Sequence, residues 1–140
     1  MLVVMVFSLV LIAAAVLVAG AAEEEAPAAA PSQAAFQVGR LVMATGVADR
    51  EPVGVASEFP DGPGPVYCFL EATDIREETE ALFVWYHEGV ERARVSLRLG
   101  QGPRWRTWSS KDVTGQPGAW KVEVEDASGA VAGSAEFTVR

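Results

Sequence analysis

The sequence predicts an all-β domain, an antiparallel β-sandwich of about seven to eight strands, which an N-terminal apolar helix and a disordered linker precede. Two observations predict this class. From residue 36 to the C-terminus, short segments rich in β-branched and aromatic residues show polar and apolar positions in alternation. Clusters of Gly, Pro and other turn-forming residues separate these segments at short intervals. Together these signals are typical of a sandwich or barrel of short strands.

The N-terminus predicts export. Residues 2–19 are apolar except for Ser8, and the sequence Ala19-Gly20-Ala21 fits an A-x-A cleavage site of a secretory signal. No Lys or Arg precedes the run, whose length is close to the roughly 20 residues of a membrane span. We therefore expect residues 1–22 to be a signal peptide or a membrane anchor, and the remainder to face the periplasm or the outer side of the membrane. Residues 23–35, rich in Ala, Glu and Pro, are predicted to be a disordered linker.

Residues 36–140 then form the sandwich domain. The predicted strands lie near residues 36–45, 51–59, 66–70, 82–86, 92–100, 104–109, 119–126 and 134–139. Turn signals at residues 61–65, 100–103, 115–118 and 128–129 separate them, as expected of an immunoglobulin-like sandwich. The turn at 100–103 predicts that the two strands beside it pair as a hairpin. The acidic segment 75–83 is expected to form a turn or a single helical turn.

Strand alternation assigns side chains to faces. Three tryptophans share inward phases with aliphatic neighbours and are predicted in the core: Trp85, Trp105 and Trp120. Cys68, the only cysteine, excludes an internal disulfide; it is expected to be a buried thiol, the alternative being a reactive or intermolecular one. His87, the only histidine, is expected at the surface or a strand end, the alternative being a pH switch or a ligand. The acidic cluster at residues 74–80 matches no ligand loop, so neither a metal nor a cofactor is predicted.

The charge of the chain is distributed unevenly. The net charge of −8 argues against binding to nucleic acid, and membrane contact is expected only through residues 1–22. Between residues 92 and 111, however, there are six basic residues and no acidic one, so the rest of the chain carries −8 − 6 = −14. The basic residues are Arg92, Arg94, Arg98, Arg104, Arg106 and Lys111.

Such a patch needs a counter-surface, because like charges facing each other on a sheet are unfavourable. Arg104, Arg106 and Trp108 share one phase and are predicted on the outer face, with an arginine against Trp108. The expected arrangement is an internal brace in which Glu123 and Glu125 neutralise the arginines. The alternative is a site for a carboxylate or phosphate, formed by the six basic residues and Trp108.

Several of these residues occur in a recognisable order. Trp85 is followed by Arg104-Trp105-Arg106 with Ser109 and Lys111, and then by Gly118-x-Trp120-x-Val122. This order resembles a bacterial family catalogued as domain of unknown function 2914, over about residues 80–139. The family has no established activity, so the resemblance implies a compartment and a fold but no reaction.

No segment resembles a P-loop, a dinucleotide motif or a nucleophile elbow. We therefore expect an exported binding or structural module of the cell envelope without catalytic activity, whose partner is an anionic envelope component or another envelope protein. The alternative is an envelope enzyme that acts on sugar or peptidoglycan through Asp and Glu residues. That alternative predicts a deep pocket around Glu51, Glu71 or His87.

Overall fold

The computed structural model of the protein describes residues 35–140, and all regular structure within this range is β-strand. The strands are β1 (Gln37–Ala44), β2 (Gly46–Ala48), β3 (Glu51–Val53), β4 (Glu58–Phe59), β5 (Pro65–Ile75), β6 (Thr79–His87), β7 (Val90–Leu99), β8 (Gly102–Asp112), β9 (Gly118–Glu125) and β10 (Val131–Val139). The predicted all-β class is thus confirmed for this range. Residues 35–140 contain no helix long and apolar enough to cross a membrane. The predictions for residues 1–34 lie outside the described residues.

The strands form two large sheets and one small ribbon. The first sheet has three strands in the order β1-β5-β8, and the second has five in the order β4-β10-β9-β6-β7. Strands β2 and β3 pair only with each other. All neighbours are antiparallel except β4 and β10, which are parallel. Consequently β7 and β8, which follow each other in the chain, each end a different sheet.

Side chains from both large sheets form one hydrophobic core. Trp85 on β6 and Trp120 on β9 are 0% and 2% exposed, at the core positions that alternation predicted. The indole Nε1 of Trp85 donates a buried hydrogen bond of 3.2 Å to Oγ of Ser109 on β8. This bond satisfies the indole N–H, as buried tryptophans usually require, and it links the two sheets through the core.

The predicted hairpin between residues 92–100 and 104–109 is wrong. β7 pairs with β6, whereas β8 pairs with β5 in the other sheet. Gly100 and Gln101 therefore carry the chain from one sheet to the other. A Gly/Pro turn signal indicates a change of direction, and a hairpin and a crossing between sheets both need one.

Two further local predictions are wrong in detail. Residues 75–83 contain no helical turn: the chain bends at residues 76–78 between β5 and β6, and from Thr79 onward the segment belongs to β6, which is paired by β7 and β9. The predicted strand 51–59 is divided into β3 and β4. It breaks at Gly54, which has φ of 70° and whose added Cβ would lie 2.1 Å from Oγ1 of Thr45. Only glycine accommodates both the positive φ and this close approach.

Candidate functional site

A cleft of about 460 Å³ lies where the edge strands β7 and β8 come together. Four arginines line it: Arg50, Arg98, Arg104 and Arg106. Trp105 and Trp108 contribute aromatic surface, and Leu97 and Thr107 complete the lining. Among the described residues no carboxylate lines this cleft. The charged residues that line this site, which we call the arginine cleft, are therefore all positive on a chain whose net charge is −8.

Trp105 lies in this cleft and not in the core, so its predicted burial is wrong. It has the inward phase of β8, opposite Ala72 of β5, but 36% of its surface is exposed. The reason is that β8 ends its sheet, and no described strand lies beyond it to cover the indole. The ring packs closely on Gly100, where an added Cβ would lie 2.5 Å from it. The guanidinium of Arg98 lies 6.0 Å from the indole centroid, at the limit of a cation–π contact.

Trp108 lies on the outer face with Arg104 and Arg106, as alternation predicted. Its ring stacks on Phe69 of β5 with a centroid distance of 6.3 Å and an interplanar angle of 9°. Phe69 also points outward, yet Trp108 and the guanidinium of Arg40, 5.0 Å from the Phe69 centroid, leave it 0% exposed. No cation–π contact within residues 35–140 involves Trp108, so the predicted arginine against this ring is wrong, and its stacking partner is a phenylalanine.

An ion-pair network joins Arg106 to the neighbouring strands. Its Nη1 lies 3.0 Å from Glu51 of β3, and its Nε lies 3.4 Å from Glu71 of β5 without a hydrogen bond. Arg40 of β1 contacts the same two carboxylates at 2.9 and 3.6 Å. The hydrogen bond from Arg40, and the charges of Arg40 and Arg106, hold the pKa of Glu51 below its usual value. Arg106 is thus braced from inside the protein.

The predicted brace through Glu123 and Glu125 is wrong in its partners. β9 lies between β10 and β6 and does not neighbour β8. Glu123 pairs with Lys121 at 3.4 Å, and Glu125 pairs with Arg94 at 3.3 Å. The carboxylates that reach Arg106 instead come from β3 and β5, which are distant in sequence from β8.

The remaining basic residues separate into two groups. Arg94 and Arg98 are ion-paired, Arg94 also with Glu91 at 3.1 Å and Arg98 with Glu78 at 2.9 Å. Within residues 35–140, no salt bridge forms at Arg92, Arg104 or Lys111. Of the seven predicted binding residues, the arginine cleft brings together four: Arg98, Arg104, Arg106 and Trp108. Arg92, Arg94 and Lys111 do not line it.

Arg50 lines the cleft and was not predicted. It occupies the two-residue turn between β2 and β3, where Asp49 and Arg50 have φ of 51° and 60°. Two positive φ values indicate a type I′ turn, whose second position favours glycine; Glu88-Gly89 between β6 and β7 follows that preference. The carbonyl of Arg50 accepts a hydrogen bond of 3.3 Å from Nη1 of Arg106. The sequence signal that could have located Arg50 is a two-residue turn between two short extended segments.

A second cleft, of about 830 Å³, lies on the outer face of the five-stranded sheet. Its carboxylates include Glu58, which is ion-paired with Arg140, and Glu123, which is paired with Lys121. Two of its three carboxylates are thus paired with cations, whereas the third, Glu136, makes no salt bridge within residues 35–140. The arginine cleft is the more specific candidate because its charge is of one sign.

The only histidine and the only cysteine, His87 and Cys68, both pack within the fold. Nε2 of His87 lies 2.8 Å from the carbonyl oxygen of Pro117, to which it donates, and the ring stacks on Trp120 with centroids 4.6 Å apart. Cys68 is 0% exposed, and burial raises its thiol pKa to about 12. Residues 35–140 contain no group of three or more His, Cys, Asp or Glu side chains that could hold a metal ion.

Comparison with known proteins assigns part of the chain. Residues 78–139 match the sequence model of a family described as "Protein of unknown function (DUF2914)". The chain carries a DUF2914 segment. The resemblance predicted over about residues 80–139 is confirmed there. The DUF2914 segment holds β6 to β10 and hence all of the cleft lining except Arg50.

Among solved structures, a beta-glucosidase from Listeria innocua in complex with glucose is similar over 74% of this chain and 15% of that chain. The sequence identity is 13% and the TM-score is 0.45. No curated protein matches the sequence.

Proposed function

We propose that the protein is an exported, non-catalytic binding module that recognises an anionic ligand in the arginine cleft. The observation that carries the proposal is the lining itself, which holds four arginines and no carboxylate of the described residues. Arg104 is the clearest donor, because it lines the cleft and makes no salt bridge within residues 35–140, acting on Glu51 only through its charge. Arg98 and Arg106 are already paired with carboxylates outside the lining, so a bound anion supplies the counter-charge for Arg50 and Arg104, which make no salt bridge within residues 35–140.

The chemistry of the lining suits a carboxylate or a phosphate. A guanidinium presents several N–H donors in a planar fork and can bind such groups through two parallel hydrogen bonds. Trp105 and Trp108 add apolar surface beside these donors, so an anion with an apolar portion fits better than a small inorganic ion. The attraction is of short range, because at about 0.1 M salt exposed charges more than about 10 Å apart are largely screened.

We assign the two large sheets to an immunoglobulin-like sandwich. In that fold one sheet has the strand order A-B-E-D, and the facing sheet contains C, F and G. The order β1-β5-β8 corresponds to A-B-E, and β10-β9-β6 corresponds to G-F-C. In this assignment the position of strand D, beside β8, has no strand among the described residues.

The proposed compartment follows from the apolar run at residues 2–19 and the small residues after it. Alkaline phosphatase fused after residue 35 should be active, since the enzyme matures only outside the cytoplasm. An inactive fusion that is retained in the cytosol would contradict export.

The enzyme alternative requires carboxylates that are available for acid–base chemistry. Glu51 and Glu71 are engaged by arginines, as are Glu58 and Glu123 by cations beside the second cleft. Glu136 is the one carboxylate lining the second cleft that makes no salt bridge within residues 35–140, whereas glycoside hydrolysis usually uses a pair of carboxyl groups. This supports binding in preference to carboxylate-based hydrolysis.

The test of anion recognition is a tryptophan-fluorescence titration of the full chain at low ionic strength. The probes are polygalacturonate, polyphosphate and polyglutamate, with neutral dextran as the control polymer. At least one anionic probe should bind. Arg104→Ala should lower the affinity for that probe about fivefold, because an exposed charge pair contributes roughly 1 kcal/mol.

Arg92→Ala is the matched control, because Arg92 also lacks a salt bridge within residues 35–140 but does not line the cleft. It should leave the affinity within experimental error. Equal losses in both variants would indicate an effect of total charge and would contradict the site. Binding of none of the three anions would refute the proposed function.

A further inference from the structure

Five consecutive residues of β8, Arg104 to Trp108, line the arginine cleft. Successive side chains of a strand point to opposite faces of its sheet. A ligand lying on one face would therefore touch every second residue. A cleft that is lined by both phases lies at the edge of the strand, where the backbone itself is accessible.

The outer edge of β8 is long and regular. On its inner side β8 pairs with β5 along its length, from Gly102 opposite Ile75 to Asp112 opposite Pro65, without a bulge. On its outer side no strand of residues 35–140 pairs with it. Edges of this kind present unpaired backbone N–H and C=O groups and are templates for an additional strand.

We propose that the ligand of the arginine cleft is an extended acidic peptide segment that adds to the outer edge of β8 as a further strand. This inference rests on the proposed anion recognition and specifies its ligand. Backbone hydrogen bonds to β8 provide the affinity for the segment, and side-chain contacts provide the specificity, as is usual in strand addition.

The lining predicts the pattern of the segment. Arg104 and Arg106 point to the outer face, so the neighbouring positions of the added strand should carry Asp or Glu. Trp105 and Thr107 have the inward phase, and the indole of Trp105 is partly exposed beside Leu97. The intervening position should therefore be apolar. An alternation of acidic and apolar residues satisfies both faces.

The same charges disfavour a second copy of this chain as the occupant. If two β8 strands paired across a two-fold axis centred at Trp105, Arg104 of one copy would face Arg106 of the other. Like charges directly opposite each other destabilise a sheet. Arg104 has no salt bridge within residues 35–140 to offset that repulsion.

The test compares two capped peptides with the full chain. One is a seven-residue alternation of Val and Glu that begins and ends with Val, and the other is the same peptide N-methylated at its three central residues. N-methylation removes backbone donors but keeps charge and composition. We expect the unmodified peptide to bind at least about tenfold more tightly, since one or two of the three methylated N–H groups would face β8 and their hydrogen bonds are lost in the other peptide.

A second readout is amide hydrogen exchange. Binding of the unmodified peptide should slow exchange at residues 102–112 on the outer edge of β8. Arg104→Ala should weaken this peptide about fivefold, and Arg92→Ala should not.

The outcomes separate this inference from the proposed function. Equal affinity for the two peptides, without protection of β8, would overturn strand addition and leave anion recognition standing. Binding of polygalacturonate or polyphosphate but of neither peptide would do the same. A dimer whose interface protects β8 would overturn the inference in favour of a second copy of the chain.

Discussion

Arg50 allows a test in which stability and binding respond to different parts of one residue. Its backbone has φ of 60° in the turn between β2 and β3, whereas its side chain lines the arginine cleft. Arg50→Gly and Arg50→Ala remove the same charge. Only the glycine variant also removes the Cβ that disfavours this backbone conformation.

The expected magnitudes follow from that difference. A left-handed conformation costs a residue with a Cβ about 1–2 kcal/mol relative to glycine. Glycine loses about 0.5–1 kcal/mol of this advantage, because it increases the conformational entropy of the unfolded chain. Arg50→Gly should therefore be more stable than Arg50→Ala by roughly 0.5–1 kcal/mol, or about 2–8 °C in Tm for a domain of this size. The hydrogen bond from Arg106 to the carbonyl of Arg50 is retained in both variants, because the acceptor is backbone.

Thermal unfolding and polyanion titration of the two variants provide the assay. Both should lose about the same affinity, up to fivefold, for the roughly 1 kcal/mol of one exposed pair. A glycine variant that is less stable than the alanine variant would refute the argument from turn geometry. Unchanged affinity in both would show that Arg50 does not contribute to the cleft.

Two further predictions concern the core and the turn between β9 and β10. Trp120→Ala should lower the free energy of unfolding by about 3–5 kcal/mol in urea titrations, because the buried ring of Trp120 stacks on His87 and Phe137. Trp105→Ala should lower the free energy of unfolding by clearly less, because Trp105 is partly exposed. An equal loss in both variants would argue against the exposure of Trp105. Asp126 is buried and accepts hydrogen bonds from the Ser128 hydroxyl and from backbone N–H groups, which lower its pKa. Asp126→Asn should cost about 1–3 kcal/mol at neutral pH. The pKa of Asp126 is lower in the folded protein than in the unfolded chain, where it is about 3.9. The stability difference between the wild type and Asp126→Asn should therefore be complete above pH 3.9 and should shrink as pH falls through the folded pKa. A stability difference that persists in acid would contradict the lowered pKa of Asp126.

The local pattern was sufficient for most of the strands and for most of their faces. The period of two along a strand follows from backbone geometry alone. For that reason Trp85 and Trp120 could be placed in the core, and Arg104, Arg106 and Trp108 on an outer face, without knowledge of any neighbour. The match to the DUF2914 family follows from the same local residues.

Pairing could not be predicted in this way, because it depends on contacts between segments that are distant in the chain. The turn at residues 100–103 is compatible with a hairpin. However, β7 pairs with β6 and β8 pairs with β5, so the two strands lie in different sheets. From this follow the partners of the arginines, since Arg106 meets Glu51 and Glu71 instead of residues of β9.

The candidate site depends on the same tertiary choice. Alternation determined that Trp105 points inward, but only the strand order left β8 without an outer neighbour among residues 35–140 and hence left Trp105 partly exposed. Arg50 joins the cleft through a turn more than 40 residues away from the nearest other lining residue. The sequence by itself therefore indicated most of the strands, most of their faces and the match of residues 78–139 to the DUF2914 model. The tertiary structure decided which strand edge is open and which charges meet there, because both depend on long-range pairing.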